Sequence, residues 1–119
     1  MREDQSSGTA LGVTVIRAVH QLIDNVPHIL EDPISLQLID SALIERILQN
    51  PERYRSQSMR ALRSHVVLRS RYAEDSLFEA IQSGMRQFVS LGAGYDTFAY
   101  RQPVWAQTLK MVEVDHPAT

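Results

Sequence analysis

The chain contains no cysteine. That excludes disulfides, thiolate metal sites and a cysteine nucleophile, and it accords with a cytoplasmic address. No apolar run approaches the roughly 18–20 residues that a membrane span needs, so no membrane partner is expected. Neither sign of charge dominates: 12 basic residues stand against 14 acidic ones, for a net charge of -2. No global field therefore draws the chain to nucleic acid or to an anionic bilayer. Lysine is almost missing, since eleven of the twelve basic residues are Arg and Lys110 is the exception. His20, His28, His65 and His116 keep no metal-ligand spacing, so no metal is expected. No serine sits in a nucleophile-elbow pattern. The start, Met1-Arg2-Glu3-Asp4-Gln5-Ser6-Ser7, is polar and acidic and unlike a signal peptide. No catalytic acid, base or nucleophile can be assigned from these residues.

What is present is one small domain's worth of chain, 119 residues that are 44% hydrophobic. Residues 1–8 are expected to form a disordered tail and residues 9–84 a helical region. From Thr9, Leu11, Val15, Val19 and Leu22/Ile23 share one helical face, with Thr14, Arg17, Gln21 and Asp24 on the other. Residues 25–32 read as a loop. Asp32-Pro33 is a helix start, with Asp capping free amides and Pro at the first helical position. Ile34, Leu38 and Ile39 line a short helix there. Leu43, Ile44, Ile47 and Leu48 line another, and Asn50-Pro51 repeats the cap signal. From Ser56 to Ser83 the stripe Met59, Leu62, Val66, Ala73, Leu77 and Ala80/Ile81 predicts one long helix or two that meet near Ser70, closed by Gly84. Six arginines between Arg53 and Arg71 read as a solvated face, because Glu52, Glu74 and Asp75 interrupt them and no aromatics interleave. One of Arg69 and Arg71, mid-helix, could grip a ligand carboxylate with a planar bidentate fork.

Residues 85–119 predict a strand-turn-helix-strand unit. The strand Gln87–Leu91 runs into Gly92-Ala93-Gly94. A second strand, Leu109–Asp115, ends in an acid twenty-one positions after Gly94. Between them, Thr97–Gln107 is mixed in pattern and broken by Pro103. A glycine turn followed about 20 residues on by a strand-end acid is how an α/β fold holds an adenosine-containing cofactor. The third glycine of the dinucleotide fingerprint would fall at Thr97. That glycine serves domains that seat a pyrophosphate on a helix N-terminus. S-adenosyl-L-methionine has adenosine and no phosphate, so it is preferred to NAD. Asp115 otherwise reads as a strand terminator, and Gly92 and Gly94 as a plain turn. Glu113 is expected to find a charged partner or solvent. Asp96 and Arg101 read equally as a local loop ion pair or as supports of the turn.

The blocks Thr9-Ala10 through Arg17-Ala18, Asp32-Pro33, Arg69-Ser70-Arg71-Tyr72-Ala73-Glu74-Asp75, Leu91-Gly92-Ala93-Gly94-Tyr95-Asp96-Thr97-Phe98-Ala99-Tyr100-Arg101 and Val112-Glu113-Val114-Asp115-His116-Pro117 resemble the leucine carboxyl methyltransferase family. They are most similar to its bacterial branch of S-adenosyl-L-methionine-dependent methyltransferases, and the likeness covers nearly the whole chain. The resemblance implies an α/β fold, an N-terminal helical cap plus the first β-α-β unit of a Rossmann-like class I methyltransferase sheet. It implies S-adenosyl-L-methionine as cofactor, with Arg71 on the methionine carboxylate, Gly92 and Gly94 beneath the cofactor and Asp115 on the ribose. The expected activity is methyl transfer to an oxygen or carboxylate of a small molecule or a peptide.

With two strands where such a sheet has seven, the chain is expected to be the N-terminal part of a longer protein or a truncated product. Alone it is expected to be marginally folded and inactive. The competing expectations are a non-catalytic remnant of the family and, less favoured, a fragment of an NAD-binding oxidoreductase. The sequence assigns neither the acceptor nor the oligomeric state.

Overall fold

The computed structural model describes residues 8–117. The expected tail at residues 1–8 lies outside them except for Gly8, which opens the first helix. Helix α1 spans Gly8–Ile23, α2 spans Ser41–Gln49 and α3 spans Gln57–Gln82. Strands β1 (Gln87–Leu91) and β2 (Lys110–Val114) pair in parallel, with Gln87 opposite Lys110 and Leu91 opposite Val114. Short 3-10 helices occupy Pro33–Gln37, Pro51–Tyr54, Phe98–Tyr100 and Val104–Ala106.

Asp32 caps its 3-10 helix as expected, with Oδ1 accepting from the Ser35 amide at 3.2 Å. Asn50 precedes its own 3-10 helix without a side-chain bond to it. Helix α3 runs unbroken through Ser70 for 26 residues, so the one-helix reading holds. Its start is fixed by Ser56, whose hydroxyl accepts from the Met59 amide at 3.3 Å. Its end is closed by the Gly84 amide on the Ile81 carbonyl at 3.0 Å and by the Met85 amide on Ala80 at 3.1 Å.

The buried faces match the expected ones only in part: Val19 and Leu77 are buried as expected, but other positions are not. On α1 the residues placed on the polar side, Thr14 and Arg17, are buried, while Leu11 is exposed. On α3 Leu62 is exposed, and the buried line is Arg63, Val67 and Leu77. In both helices polar side chains are buried beside polar or charged partners, though Arg17 Nε and Asp32 Oδ2, 3.1 Å apart, meet as charges without hydrogen-bond geometry. Thr14 donates to the Ala10 carbonyl at 2.9 Å, and Arg17 and Arg63 each meet a carboxylate. Apolar periodicity alone cannot register a pairing made with another element.

The expected helix between the strands is also absent. Residues 92–109 hold only the two three-residue 3-10 helices. Pro103 lacks an amide donor and biases Gln102 away from helical geometry, which splits the segment into pieces too short to be α-helical. The hydrophobic core lies under one face of the sheet, where Leu77, Phe98, Ala106 and Leu109 pack with Ile81, Phe88, Trp105 and Met111. The opposite face carries Val89, Leu91, Val112 and Val114, all exposed.

Candidate functional site

The turn after β1 is built by two glycines with left-handed backbone, Gly92 at φ 63° and Gly94 at φ 56°. A side chain at either would be strained. In front of Gly92 there is open space, since a Cβ there would meet nothing within 4 Å. At Gly94 a Cβ would make contact with α1, 3.4 Å from the Ala10 Cβ. The amides of Gly92 and Ala93 donate to the Val114 carbonyl at 2.7 and 3.2 Å, tying the turn to the end of β2.

Asp115 follows directly. Its Oδ2 accepts from the Gly94 amide, and its Oδ1 accepts from the His116 amide at 2.6 Å. The structure thus brings Gly92, Gly94 and Asp115 together at the carboxyl ends of the two strands, where open α/β sheets bind ligands. An ionised carboxylate has about four acceptor positions; with two in use, Asp115 can still accept from a pair of hydroxyls.

A cavity of about 610 Å³ opens on this turn. Ala93, Gly94, Tyr95 and Asp96 form one wall, with Tyr100, Glu113 and Asp115 beside them. Ile34, Gln37 and Leu38 of the first 3-10 helix form the facing wall. Glu113 faces solvent, one of its two expected environments. Partial desolvation, and then the charge of Asp96, push its carboxyl above the ordinary glutamate value.

A second cavity, of about 290 Å³, adjoins the first through Asp96 and is lined by Arg17, Arg69, Ser70, Glu74 and Phe88 among others. Arg69, an exposed residue, therefore borders this open cavity. Arg71 stands elsewhere on α3: its guanidinium holds Asp75 one turn along, with Nε to Oδ1 at 2.9 Å, on an exposed face. It lines neither of these two cavities.

The local Asp96–Arg101 pair does not form. Arg101 instead reaches α3, with Nη1 to Glu74 Oε2 at 3.1 Å, and its Nε donates to the Thr97 hydroxyl at 2.8 Å. Asp96 accepts from the Phe98 amide at 3.4 Å. A glutamate on a helix 27 residues away in sequence outcompetes the near neighbour because it offers a side-by-side carboxylate in a mostly buried setting.

Sequence reasoning missed the supports of the turn. Asp32, fully buried, accepts from the Thr97 hydroxyl at 2.7 Å and lies 3.1 Å from Arg17 Nε and 3.5 Å from Arg101 Nε. Arg17 in turn donates through Nη2 to the Tyr95 carbonyl. The one available signal was Asp32-Pro33, which reads as a cap and gives no hint of partners 65 residues on.

Among the described residues, no helix is long and apolar enough to cross a membrane, and no group of three or more His, Asp or Glu could hold a metal ion.

A family-wide sequence profile described as leucine carboxyl methyltransferase matches residues 10–119. The chain is 33% identical, over a 139-residue alignment, to a Bacillus subtilis protein named "Putative S-adenosyl-L-methionine-dependent methyltransferase YktD". That alignment covers 100% of this chain and 45% of the relative. A Mycobacterium ulcerans protein of the same general name is 27% identical over 127 residues, covering 96% of this chain and 40% of the relative. A shorter stretch of 54 residues is 46% identical to such a protein from Frankia alni, covering 45% of this chain and 19% of that one. The chain thus spans less than half the length of these relatives. No solved structure matches.

Proposed function

The chain belongs to the leucine carboxyl methyltransferase family, and from that premise we propose that it is the cofactor-binding part of an S-adenosyl-L-methionine-dependent methyltransferase. The relatives' names support the cofactor. The acceptor is an oxygen or a carboxylate on a small molecule or a peptide end. The two parallel strands are the start of a Rossmann-like sheet. A cytoplasmic location accords with the absence of cysteine.

The observation that carries this reading is the Asp115 carboxylate held at the tip of β2 against the Gly94 amide, at the mouth of the larger cavity. We assign Asp115 to the ribose hydroxyls, and Gly92 and Gly94 to the backbone surface the cofactor approaches. The open front of Gly92 fits that role. The dinucleotide alternative needs a helix N-terminus behind the turn for its pyrophosphate. Residues 92–109 offer only three-residue 3-10 helices there.

S-adenosyl-L-methionine supplies an electrophilic methyl group when bound. The chain's own contribution is positioning, which suits a site without a nucleophile of its own. We assign the methionine carboxylate to Arg71, the residue the family resemblance picks, which must release Asp75 to serve. A second reading gives that role to Arg69, favoured because Arg69 already lines the cavity that adjoins the turn.

Isothermal titration tests the proposal. S-adenosyl-L-methionine should give binding heat and NAD none; the reverse result sinks it. Asp115→Ala should weaken cofactor binding by about 1–3 kcal/mol, the scale of hydrogen bonds to a charged acceptor. Of Arg69→Ala and Arg71→Ala, the variant that loses affinity identifies the carboxylate arm. Spanning less than half the length of its relatives, this chain by itself should transfer no methyl group from labelled cofactor.

A further inference from the structure

We infer that Asp32 is a positioning residue that holds both walls of the larger cavity at a fixed separation. On one side its Oδ1 accepts from the Ser35 amide at 3.2 Å, and its backbone carbonyl accepts from the Ser35 hydroxyl at 2.7 Å. Those bonds set the 3-10 helix Pro33–Gln37, which presents Ile34, Gln37 and Leu38 to the cavity. On the other side the same Oδ1 accepts from the Thr97 hydroxyl at 2.7 Å, directly behind the wall residues Ala93 to Asp96. Two guanidiniums complete the arrangement. Arg17 lies 3.1 Å from Oδ2 and extends Nη2 to the Tyr95 carbonyl inside that wall. Arg101 lies 3.5 Å from Oδ1 and ties Thr97 to Glu74 on α3.

A helix cap needs one acceptor oxygen, which an asparagine supplies equally well. The buried Arg17 guanidinium, with the partly buried Arg101 beside it, needs a negative charge that an asparagine does not carry. The carboxylate is completely inaccessible, so water cannot replace any of these partners. The cap and the turn are thus two ends of one charged joint, and Thr97, at the position where a dinucleotide fingerprint has glycine, is the link between them.

This inference rests on the cavity being the cofactor site, but its primary test does not. Backbone amide hydrogen exchange is measured on the whole chain for Thr97→Val, which keeps the shape and removes the hydroxyl. Exchange at residues 94–98 and 34–38 should accelerate at least about tenfold, the effect on local opening of losing the hydroxyl's bond to Asp32 together with the one it accepts from Arg101. Residues 63–77 of α3 should be unaffected. Thr97→Ser should restore the slow exchange of both walls, which a loss of packing alone would not do. Asp32→Asn, which preserves the cap, should loosen residues 94–98 in the same way.

Titration with S-adenosyl-L-methionine then reads the consequence, with Kd rising about tenfold in Thr97→Val and recovering in Thr97→Ser. Unchanged exchange in Thr97→Val, or acceleration confined to one wall, overturns the inference. If the unmodified chain binds no S-adenosyl-L-methionine, the functional reading fails, and the exchange result still decides the joint.

Discussion

Two arginine–carboxylate clasps fasten α1 to the rest of the chain, built from the same chemistry but placed differently. At the carboxyl end of α1, Asp24 receives Arg63 from α3 through two bonds of 2.7 and 2.9 Å. His20 Nδ1 lies 2.7 Å from the same carboxylate, and Arg63 also donates to the Tyr54 carbonyl at 2.7 Å. About two helical turns earlier, Arg17 meets Asp32, which has a second guanidinium and a threonine hydroxyl beside it. The first clasp has the better fork geometry, yet its carboxylate side chain is 29% accessible against 0% for Asp32. Water access therefore decides what each is worth. Asp24 can be rehydrated when its partner is lost, while Asp32 cannot. The first clasp joins two helices, and the second joins a helix to the loops that form a cavity.

The largest expected effect breaks the second clasp. Asp32→Ala should cost about 3–5 kcal/mol of unfolding free energy, the range for leaving buried charges without their counter-charge. Arg63→Ala, which leaves the accessible Asp24 carboxylate to be rehydrated, should cost less, about 1.5–3 kcal/mol, as for hydrogen bonds to a charged group that solvent partly replaces. Urea denaturation midpoints measure both, and equal losses would erase the distinction drawn from accessibility.

The pH response sharpens it further. Burial alone would raise the Asp24 carboxyl, but the hydrogen bonds and charges of Arg63 and His20 outweigh it and hold the group below its ordinary value. A carboxyl depressed in the folded state contributes stability that is fully present above its unfolded value, near 3.8. That contribution is lost as pH falls through the lower folded value. Stability of the unmodified chain should therefore decline in acid more steeply than that of Asp24→Asn, and parallel curves would contradict the clasp's role.

The smallest effects lie at the exposed end of the sheet. Glu113 is raised in the folded state, so its ionised form opposes folding above that raised value and the opposition fades as pH falls through it. Glu113→Gln should be neutral to slightly stabilising at neutral pH, with the difference vanishing in acid. Val112→Thr, on the open face, should stay within about 0.5 kcal/mol; a larger loss would mean that this face is covered in solution.

Much of this was legible in the sequence. The helices, the two strands, the glycine turn and the acid after β2 all follow from local signals. These are period, caps and spacing, each carried by residues a few positions apart. The buried faces of α1 and α3 were misread in part because Arg17 and Arg63 count as polar in any local pattern and are buried only by partners far along the chain. The crossover was misread because a glycine turn between two strands suggests a helix, whereas Pro103 divides the segment. The choice between Arg69 and Arg71 is also out of reach of the sequence. Two positions on a helix separate by about 200° around its axis, and only the surrounding elements decide which of them faces a cavity.

The bond between Asp115 and the Gly94 amide has a consequence for when order is imposed. A free carboxylate on a strand end samples several rotamers, and a ligand that uses it must freeze one of them. Here the fold has already frozen it, through the backbone of the turn on one oxygen and the His116 amide on the other. The entropy of that choice is spent in folding and is not charged again to binding. Any hydroxyl that arrives finds its acceptor standing still, so affinity at this corner depends on geometry already present before encounter.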